Sequence, residues 1–182
     1  STTLGWRMVN PAMPAKWTIS LGESAEVLAD RYAISRESQD AFALRSHQRA
    51  VTAWDAGRFV DEVVQVPGVV LDRDESIRPD TTIEALAKLK PAFREDGTVT
   101  AGHSSPLNDG ASALILADTA GVQRVGHEPL ARIAARAVSA VDPRVFGIGP
   151  VEAARTALKR AGIGWDDLVV VELNEAFAAQ SL

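Results

Sequence analysis

Apolar positions along this chain change their period several times, and each change marks an expected element. From Leu21 to Tyr32 they fall at helical spacing, with Ala25, Leu28, Ala29 and Tyr32 recurring and Gly22 and Ser24 near the start. A second helix is expected over Arg36 to Ala56, carrying Phe42, Leu44, Val51 and Trp54, capped by Ser35 and closed by Gly57. The pattern then shortens. Phe59 to Val66 reads as a strand, Pro67-Gly68 as a turn, and Val69 to Leu71 as a short second strand. A charged loop, Asp72 to Asp80, contains Arg78. Thr82 to Leu89 reads as a helix stopped at Lys90-Pro91, because the residue before a proline disfavours helical backbone. Arg94 to Gly97 is a turn.

In the second half, a loop of small residues leads through Asn108-Asp109-Gly110 into an expected strand, Ala111 to Ala117. Asp118 to Pro129 reads as a short helix and linker, and Leu130 to Val141 as a strand-rich stretch. A helix follows, with Pro150 suited to its first position and Ala161-Gly162 ending it. Its narrow face of Ala153, Ala154, Ala157, Leu158 and Ala161 suits a sheet surface. The valine-rich run Leu168 to Leu173 has the composition of a strand buried on both faces of a parallel sheet. Strand, helix and strand in this order predict a right-handed βαβ crossover. Ala176 to Leu182 reads as the first turns of a final helix. Residues 1–20, with Gly5, Pro11, Pro14, Trp6 and Trp17, show no steady period and read as an irregular connecting segment.

Composition narrows the function. The 182 residues can bury a sizeable core as one domain or two small ones. A formal net charge of -5 argues against a general nucleic-acid binder, whose footprint is basic. There is no apolar run long enough to span a bilayer and no signal-peptide pattern. Cysteine is absent, so the chain holds no disulfide, no cysteine-ligated metal and no thiol nucleophile. His47, His103 and His127 show no metal-ligand spacing. The chain starts without Met and stops a few residues into a helix, which reads as an interior piece of a longer polypeptide.

The polarity break at Asn174-Glu175 is the first candidate site. Ligands bind beyond the carboxyl ends of strands in open α/β sheets, and this polar pair is expected there. The alternative is that Asn174 caps the final helix. Arg45 and Arg49, four apart on one helix, read as a solvated face rather than a phosphate site. His103 is read as a loop residue rather than a catalytic base. Leu21 and Phe93 read as core, Arg78 as a loop charge and Ser105 as a turn residue.

A resemblance adds to these readings. Asn174-Glu175-Ala176-Phe177-Ala178 after a valine-rich strand resembles the Asn-Glu-Ala-Phe motif of the thiolases. Glu23-Ser24-Ala25-Glu26, the run Ile34 to Ala50, Gly57-Arg58-Phe59 and Leu86 to Phe93 resemble the thiolase loop domain. Gly97 to Ala117, with Ala-Gly-His-Ser-Ser-Pro-Leu-Asn-Asp-Gly at its centre, resembles the segment that returns to the first half of that fold. His103 stands where the family usually has Asn.

The resemblance implies a partial thiolase-like α/β fold, with layered αβα halves and a mostly helical loop-domain insertion. It places a connecting segment at 1–19 and a loop domain covering the coenzyme A site at 20–97. The end of the first half falls at 98–126 and the start of the second at 127–182. It implies an acyltransferase that cleaves 3-ketoacyl-CoA with free coenzyme A, or runs the reverse Claisen condensation through a cysteine thiolate. Asn174 would fix a water that donates to the thioester oxygen, an effect worth roughly 3 kcal/mol. Glu175 would hold the surrounding hydrogen bonds. Ala176 and Phe177 would lie along the pantetheine arm, Ala92 and Phe93 would flank it, and Ser105 would hydrogen-bond it. Leu21 would border the acyl tunnel and Arg78 the adenine or phosphate end.

Coenzyme A is implied as substrate, with no permanently bound cofactor and no metal. The family implies a homodimer or homotetramer serving fatty acid metabolism such as β-oxidation. The absence of a targeting segment leads to the expectation of a cytoplasmic protein, and charge and hydropathy to that of no nucleic-acid or membrane partner. Lacking cysteine, this chain alone is expected to be inactive. The alternative is a non-catalytic thiolase-like protein that binds CoA esters or a partner. Cysteine before Ser1, and Gly-His-Pro with a second cysteine after Leu182, would discriminate the two.

Overall fold

The computed structural model describes residues 10–108 and 110–182. Residues 1–9 of the expected connecting segment, with Trp6, and Asp109 of the expected turn lie outside the described residues. Six α-helices occur among the described residues: α1 (Leu21–Tyr32), α2 (Arg36–Asp55), α3 (Ile83–Ala87), α4 (Thr119–Val125), α5 (Gly149–Ala161) and α6 (Ala178–Ser181). All six lie where the apolar spacing places helices.

Their ends follow from local chemistry. Ser20, Ser35, Thr82 and Asp118 each accept a backbone N–H of the first turn, so α1 to α4 begin at side-chain caps. Helix α1 ends with Ala33 in the left-handed region at φ 52°, and its N–H returns to the carbonyls of Ala29 and Asp30. Gly57, at φ 67°, turns the chain after α2 and brings the Phe59 ring back onto Trp54, with centroids 5.1 Å apart.

The chain divides into two compact units. The first comprises Ser1–Pro106, Val141–Ile148 and Glu172–Leu182. Its core gathers Ala25 and Ala29 of α1, Val99, and Ala179 of α6, with Ile34 and Phe177 packed against them. The small alanines let α1 and α6 approach closely, and Val99 fills the space they leave. The Ser24 hydroxyl donates to the Arg144 carbonyl at 2.7 Å, and Gln180 Nε2 donates to the Gly147 carbonyl at 3.1 Å. These bonds seat the 141–148 segment.

The second unit comprises Leu107–Ala140 and Gly149–Val171. Within it, the Ser139 hydroxyl donates to the Gly149 carbonyl at 2.6 Å, and Arg160 donates to the Arg136 carbonyl at 2.6 Å. These contacts tie the 130–140 segment to α5. None of its described residues is fully buried.

The expected strands require correction. Phe59–Val66, Val69–Leu71, Ala111–Ala117, Leu130–Val141 and Leu168–Leu173 form no ladder among the described residues. The expected βαβ crossover is therefore present only as its helix, α5. A strand's hydrogen bonds come from a neighbouring strand, and these segments do not pair with one another. Leu114 to Leu116 and Val169 to Val171 are accordingly exposed. After Gly57 the chain instead makes turn bonds, Glu62 and Val63 both donating to the Phe59 carbonyl. The β pairing that occurs among the described residues is two isolated antiparallel bridges, Pro91 with Thr100 and Ser104 with Phe177. Among the described residues, no helix is long and apolar enough to cross a membrane.

Candidate functional site

Within the first unit an open cleft of about 460 Å³ lies along one face of α2. Ala43, His47, Ala50 and Trp54 line it at intervals of three and four residues, joined by Phe42 and Ser46. The loop Gly102–Pro106 lines it too, together with Asn174 and Glu175 and with Asp74, Ser76 and Ile77. Two stretches that the sequence singles out, around Ser105 and around Asn174, therefore share one cleft.

Specific hydrogen bonds hold these loops together. Ser105 N–H donates to the Ala176 carbonyl at 2.9 Å, beside the Ser104–Phe177 bridge. Ala176 N–H donates to the Asn174 carbonyl at 2.9 Å, which closes a tight turn. The Ser46 hydroxyl donates to Glu175 Oε2 at 2.5 Å and so fixes that turn to α2. Asn174 does not cap the last helix: α6 begins at Ala178, and its N-cap is Phe177. Among the described residues the Asn174 side chain makes no hydrogen bond. Its amide is left exposed and available to an incoming group.

His47 stands beside Glu175. Its Nδ1 accepts from Arg78 N–H at 3.3 Å, which places the Arg78 backbone at the edge of the cleft. Burial lowers the His47 pKa, the Arg78 charge lowers it further, and Glu175 opposes both. Arg45 and Arg49 are exposed and are not among the cleft's lining residues; the Arg45 guanidinium lies 5.2 Å from the Phe42 ring centroid.

The remaining sequence candidates form an aromatic group nearby. Phe93 meets Phe177 edge to face, with centroids 5.8 Å apart and planes at 81°. The Phe93 ring also lies over Gly22, where a Cβ would overlap it. Ala92, exposed next to Phe93, is held by its N–H donating to the Val99 carbonyl at 2.9 Å. Leu21, next to Gly22, is an exposed first residue of α1 rather than core.

The first unit also holds buried polar groups that sequence reasoning missed. Glu26 of α1 has no exposed surface; it accepts from Thr98 N–H and Val99 N–H, both at 2.9 Å. Asp40 of α2 accepts from Arg36 Nε through both oxygens at 3.0 Å. His103, read as a loop residue, is the buried last residue of a 3-10 turn, Ala101–His103. Its Nδ1 accepts from Thr100 N–H at 3.3 Å, and the Thr100 hydroxyl accepts from Gly102 N–H at 3.1 Å. Burial pushes the His103 pKa down to about 4, against the pull of Asp40, and Arg36 lowers it further. The imidazole is therefore neutral near pH 7. The four-residue spacing of Arg36 and Asp40 was a readable sign of a helical ion pair. Nothing local marked its burial or its approach to His103.

Residues 8–120 match the family described as thiolase, N-terminal domain, and residues 127–182 match thiolase, C-terminal domain. The chain is 50% identical over 188 residues to a beta-ketoadipyl-CoA thiolase of Pseudomonas putida, across 100% of this chain and 47% of that protein. It is 53% identical over 169 residues to an acetyl-CoA acetyltransferase of Pseudomonas aeruginosa, across 89% of this chain and 43% of that one. Among solved structures, the human mitochondrial 3-ketoacyl-CoA thiolase in complex with CoA superposes with a TM-score of 0.85 at 45% identity. That superposition covers 93% of this chain and 43% of the human one. The Bacillus anthracis acetyl-CoA acetyltransferase superposes with a TM-score of 0.82 at 42% identity, over 97% of this chain and 49% of the other. The chain thus spans about half the length of the curated relatives it matches. Its fold is a partial thiolase-like α/β fold, and the chain belongs to the thiolase family.

Proposed function

We propose that the full-length protein containing these residues is an acyl-CoA thiolase. It would cleave a 3-ketoacyl-CoA with free coenzyme A into acetyl-CoA and a shortened acyl-CoA, or run the reverse condensation. The observation that carries this reading is the joining of the Asn174 turn to the Ser105 loop, through Ser105 N–H and the Ala176 carbonyl, at one cleft. In this reading residues 20–97 cover the coenzyme A site, between a connecting segment at 1–19 and the end of the first half at 98–126; residues 127–182 begin the second half.

The chemistry assigned to these residues is binding and polarisation. The exposed Asn174 amide orients a water toward the thioester oxygen, where charge develops as the carbon–carbon bond breaks. The Ser105 hydroxyl holds the pantetheine, and Phe93, Phe177, Ala92 and Ala176 flank it. Leu21 borders the acyl channel, and Arg78 meets the nucleotide end. The nucleophile is not among these residues, since the chain has no cysteine. We place the enzyme in the cytoplasm as a homodimer or homotetramer, degrading 3-ketoacyl-CoA in fatty acid or related acyl-CoA metabolism.

The test is loss of 3-ketoacyl-CoA absorbance on adding coenzyme A to the full-length protein. The substrate series runs from acetoacetyl-CoA to longer chains and includes 3-oxoadipyl-CoA, because some of the similar proteins are beta-ketoadipyl-CoA thiolases. No turnover across the series would overturn the proposal. The second reading is a non-catalytic protein that binds CoA esters; cysteine before Ser1, and Gly-His-Pro with a second cysteine after Leu182, discriminate the two. That reading predicts binding without turnover in the same experiment. Turnover by the 182 residues alone would refute a thiolate mechanism.

A further inference from the structure

A polar chain runs from the interior to the cleft wall at His103 and Ser104, and the roles given to Asn174 and Ser105 do not use it. It starts at the end of α3, where Arg36 Nη2 donates to the Leu86 and Leu89 carbonyls at 2.5 and 3.1 Å. Arg36 Nε then holds both oxygens of Asp40 at 3.0 Å. Asp40 Oδ1 lies 3.4 Å from His103 Nε2. On its other side, His103 Nδ1 accepts from Thr100 N–H at 3.3 Å. The Thr100 carbonyl accepts the Ser104 hydroxyl at 2.7 Å, and the next residue, Ser105, donates to Ala176.

The tautomer follows from this pattern. A ring nitrogen that accepts an N–H carries no proton, so in the neutral imidazole the proton sits on Nε2, the nitrogen nearest Asp40. The His103 side chain has no exposed surface and that of Asp40 is 5% exposed, so water cannot substitute for either partner. At 3.4 Å the Nε2–Asp40 contact is longer than a well-formed hydrogen bond, and Nε2 has no closer partner. A buried donor left short of its acceptor gains free energy when the loop moves a few tenths of an ångström toward α2.

We propose that His103 is a positioning residue: it couples Asp40 of α2 to the Thr100–Ser105 loop, and so sets where Ser105 and the Asn174 turn stand in the cleft. The proposal rests on reading that cleft as the acyl-CoA site. An apolar residue would fill the same space but would neither receive Thr100 N–H nor face Asp40. Asn at position 103 could still accept from Thr100 N–H, but it is too short to reach Asp40.

The test uses the full-length protein with His103→Asn, Asp40→Asn and the double variant. Two readouts are taken: hydrogen exchange of the 101–106 segment, and kcat and KM for coenzyme A. Each single variant is expected to speed exchange of that segment and lower kcat/KM by about threefold, the scale of a weak hydrogen bond. The double variant is expected to be no worse than the more damaging single. Unchanged exchange and kcat/KM in the single variants would overturn the proposal. So would effects that multiply in the double variant, since the two residues would then act independently. Equal acceleration in α1 would also overturn it, by showing general loosening instead of a local strut. If wild-type protein shows no turnover, the thiolase reading fails by itself, and the exchange arm still decides the role of His103.

Discussion

Glu26 offers the sharpest test of how the cleft loop is seated. Its carboxylate is buried with 0% exposure, and its two oxygens divide the work. Oε1 accepts Val99 N–H at 2.9 Å, while Oε2 accepts Thr98 N–H at 2.9 Å and the Thr98 hydroxyl at 3.3 Å. Gly97 lies directly against the carboxylate, where any Cβ would overlap it. Glu26→Gln is nearly isosteric but replaces one oxygen with an NH₂. Whichever way the amide turns, one backbone N–H then faces a donor. An unsatisfied buried N–H costs about 1–3 kcal/mol, and losing a charged acceptor adds to that, giving a total on the order of 2–4 kcal/mol. At 1.4 kcal/mol per factor of ten, local opening becomes roughly thirtyfold to several-hundredfold more frequent. Hydrogen exchange of peptides covering 97–104 in the full-length protein reads this directly, with α2 peptides as the internal control. If Thr98 and Val99 exchange within about threefold of wild type, the carboxylate does not hold this loop and the reasoning fails.

Three further outcomes are expected. Asn174→Ala should lower kcat by roughly 10²- to 10³-fold, as loss of an oxyanion donor does, with an unchanged melting temperature because the side chain is exposed; steady-state kinetics beside a thermal melt checks both. Gly22→Ala should push the Phe93 ring off its seat and away from Phe177, costing about 1–3 kcal/mol and raising KM for coenzyme A; adding Phe93→Ala should relieve the stability loss but not the KM. The folded-state pKa of His103, about 4, lies below the roughly 6.5 of an unfolded histidine. Between those values the unfolded chain binds more protons, so this stabilising contribution is complete above about pH 6.5 and is lost as pH falls toward 4. Urea midpoints between pH 4.5 and 7 should therefore slope more steeply in wild type than in His103→Asn, with His47 contributing equally to both.

The helices were legible because an α-helix carries its hydrogen bonds within itself and its start signals lie within three residues. Ser35 caps α2 and Gly57 follows its end, as the sequence reads. The bounds of α1, Leu21 to Tyr32, were read as they stand, with Gly22 and Ser24 at its start; the cap was not, since Ser20 makes it by accepting Glu23 N–H. Gly22 has another use, giving room to the Phe93 ring. Strands were not legible in the same way. The valines of 168–173 and the Ala-Leu-Ile-Leu run of 111–117 state that these segments suit a ladder, but composition cannot state where the paired segment is. Val169 is fully exposed, and Leu114 nearly so, because no described residue supplies that partner.

The same distinction separates the readable from the unreadable part of the site. Asn174 and Ser105 stand in contiguous motifs, so their types and spacing could be recognised. Ser46 could not be placed that way, because its partner Glu175 lies 129 residues away. Glu26 is likewise 73 residues from Val99. Yet α2 did carry a partial signal. Ala43, His47, Ala50 and Trp54 repeat at helical spacing, and His47 interrupts an otherwise small or aromatic stripe. A fully buried stripe has little use for an imidazole, and a solvated one has little use for a tryptophan and two alanines. Such a mixed face belongs beside something both polar and apolar. The structure places it along the cleft, with Ser46 and His47 meeting the Glu175 and Arg78 loops and Trp54 packed under Phe59.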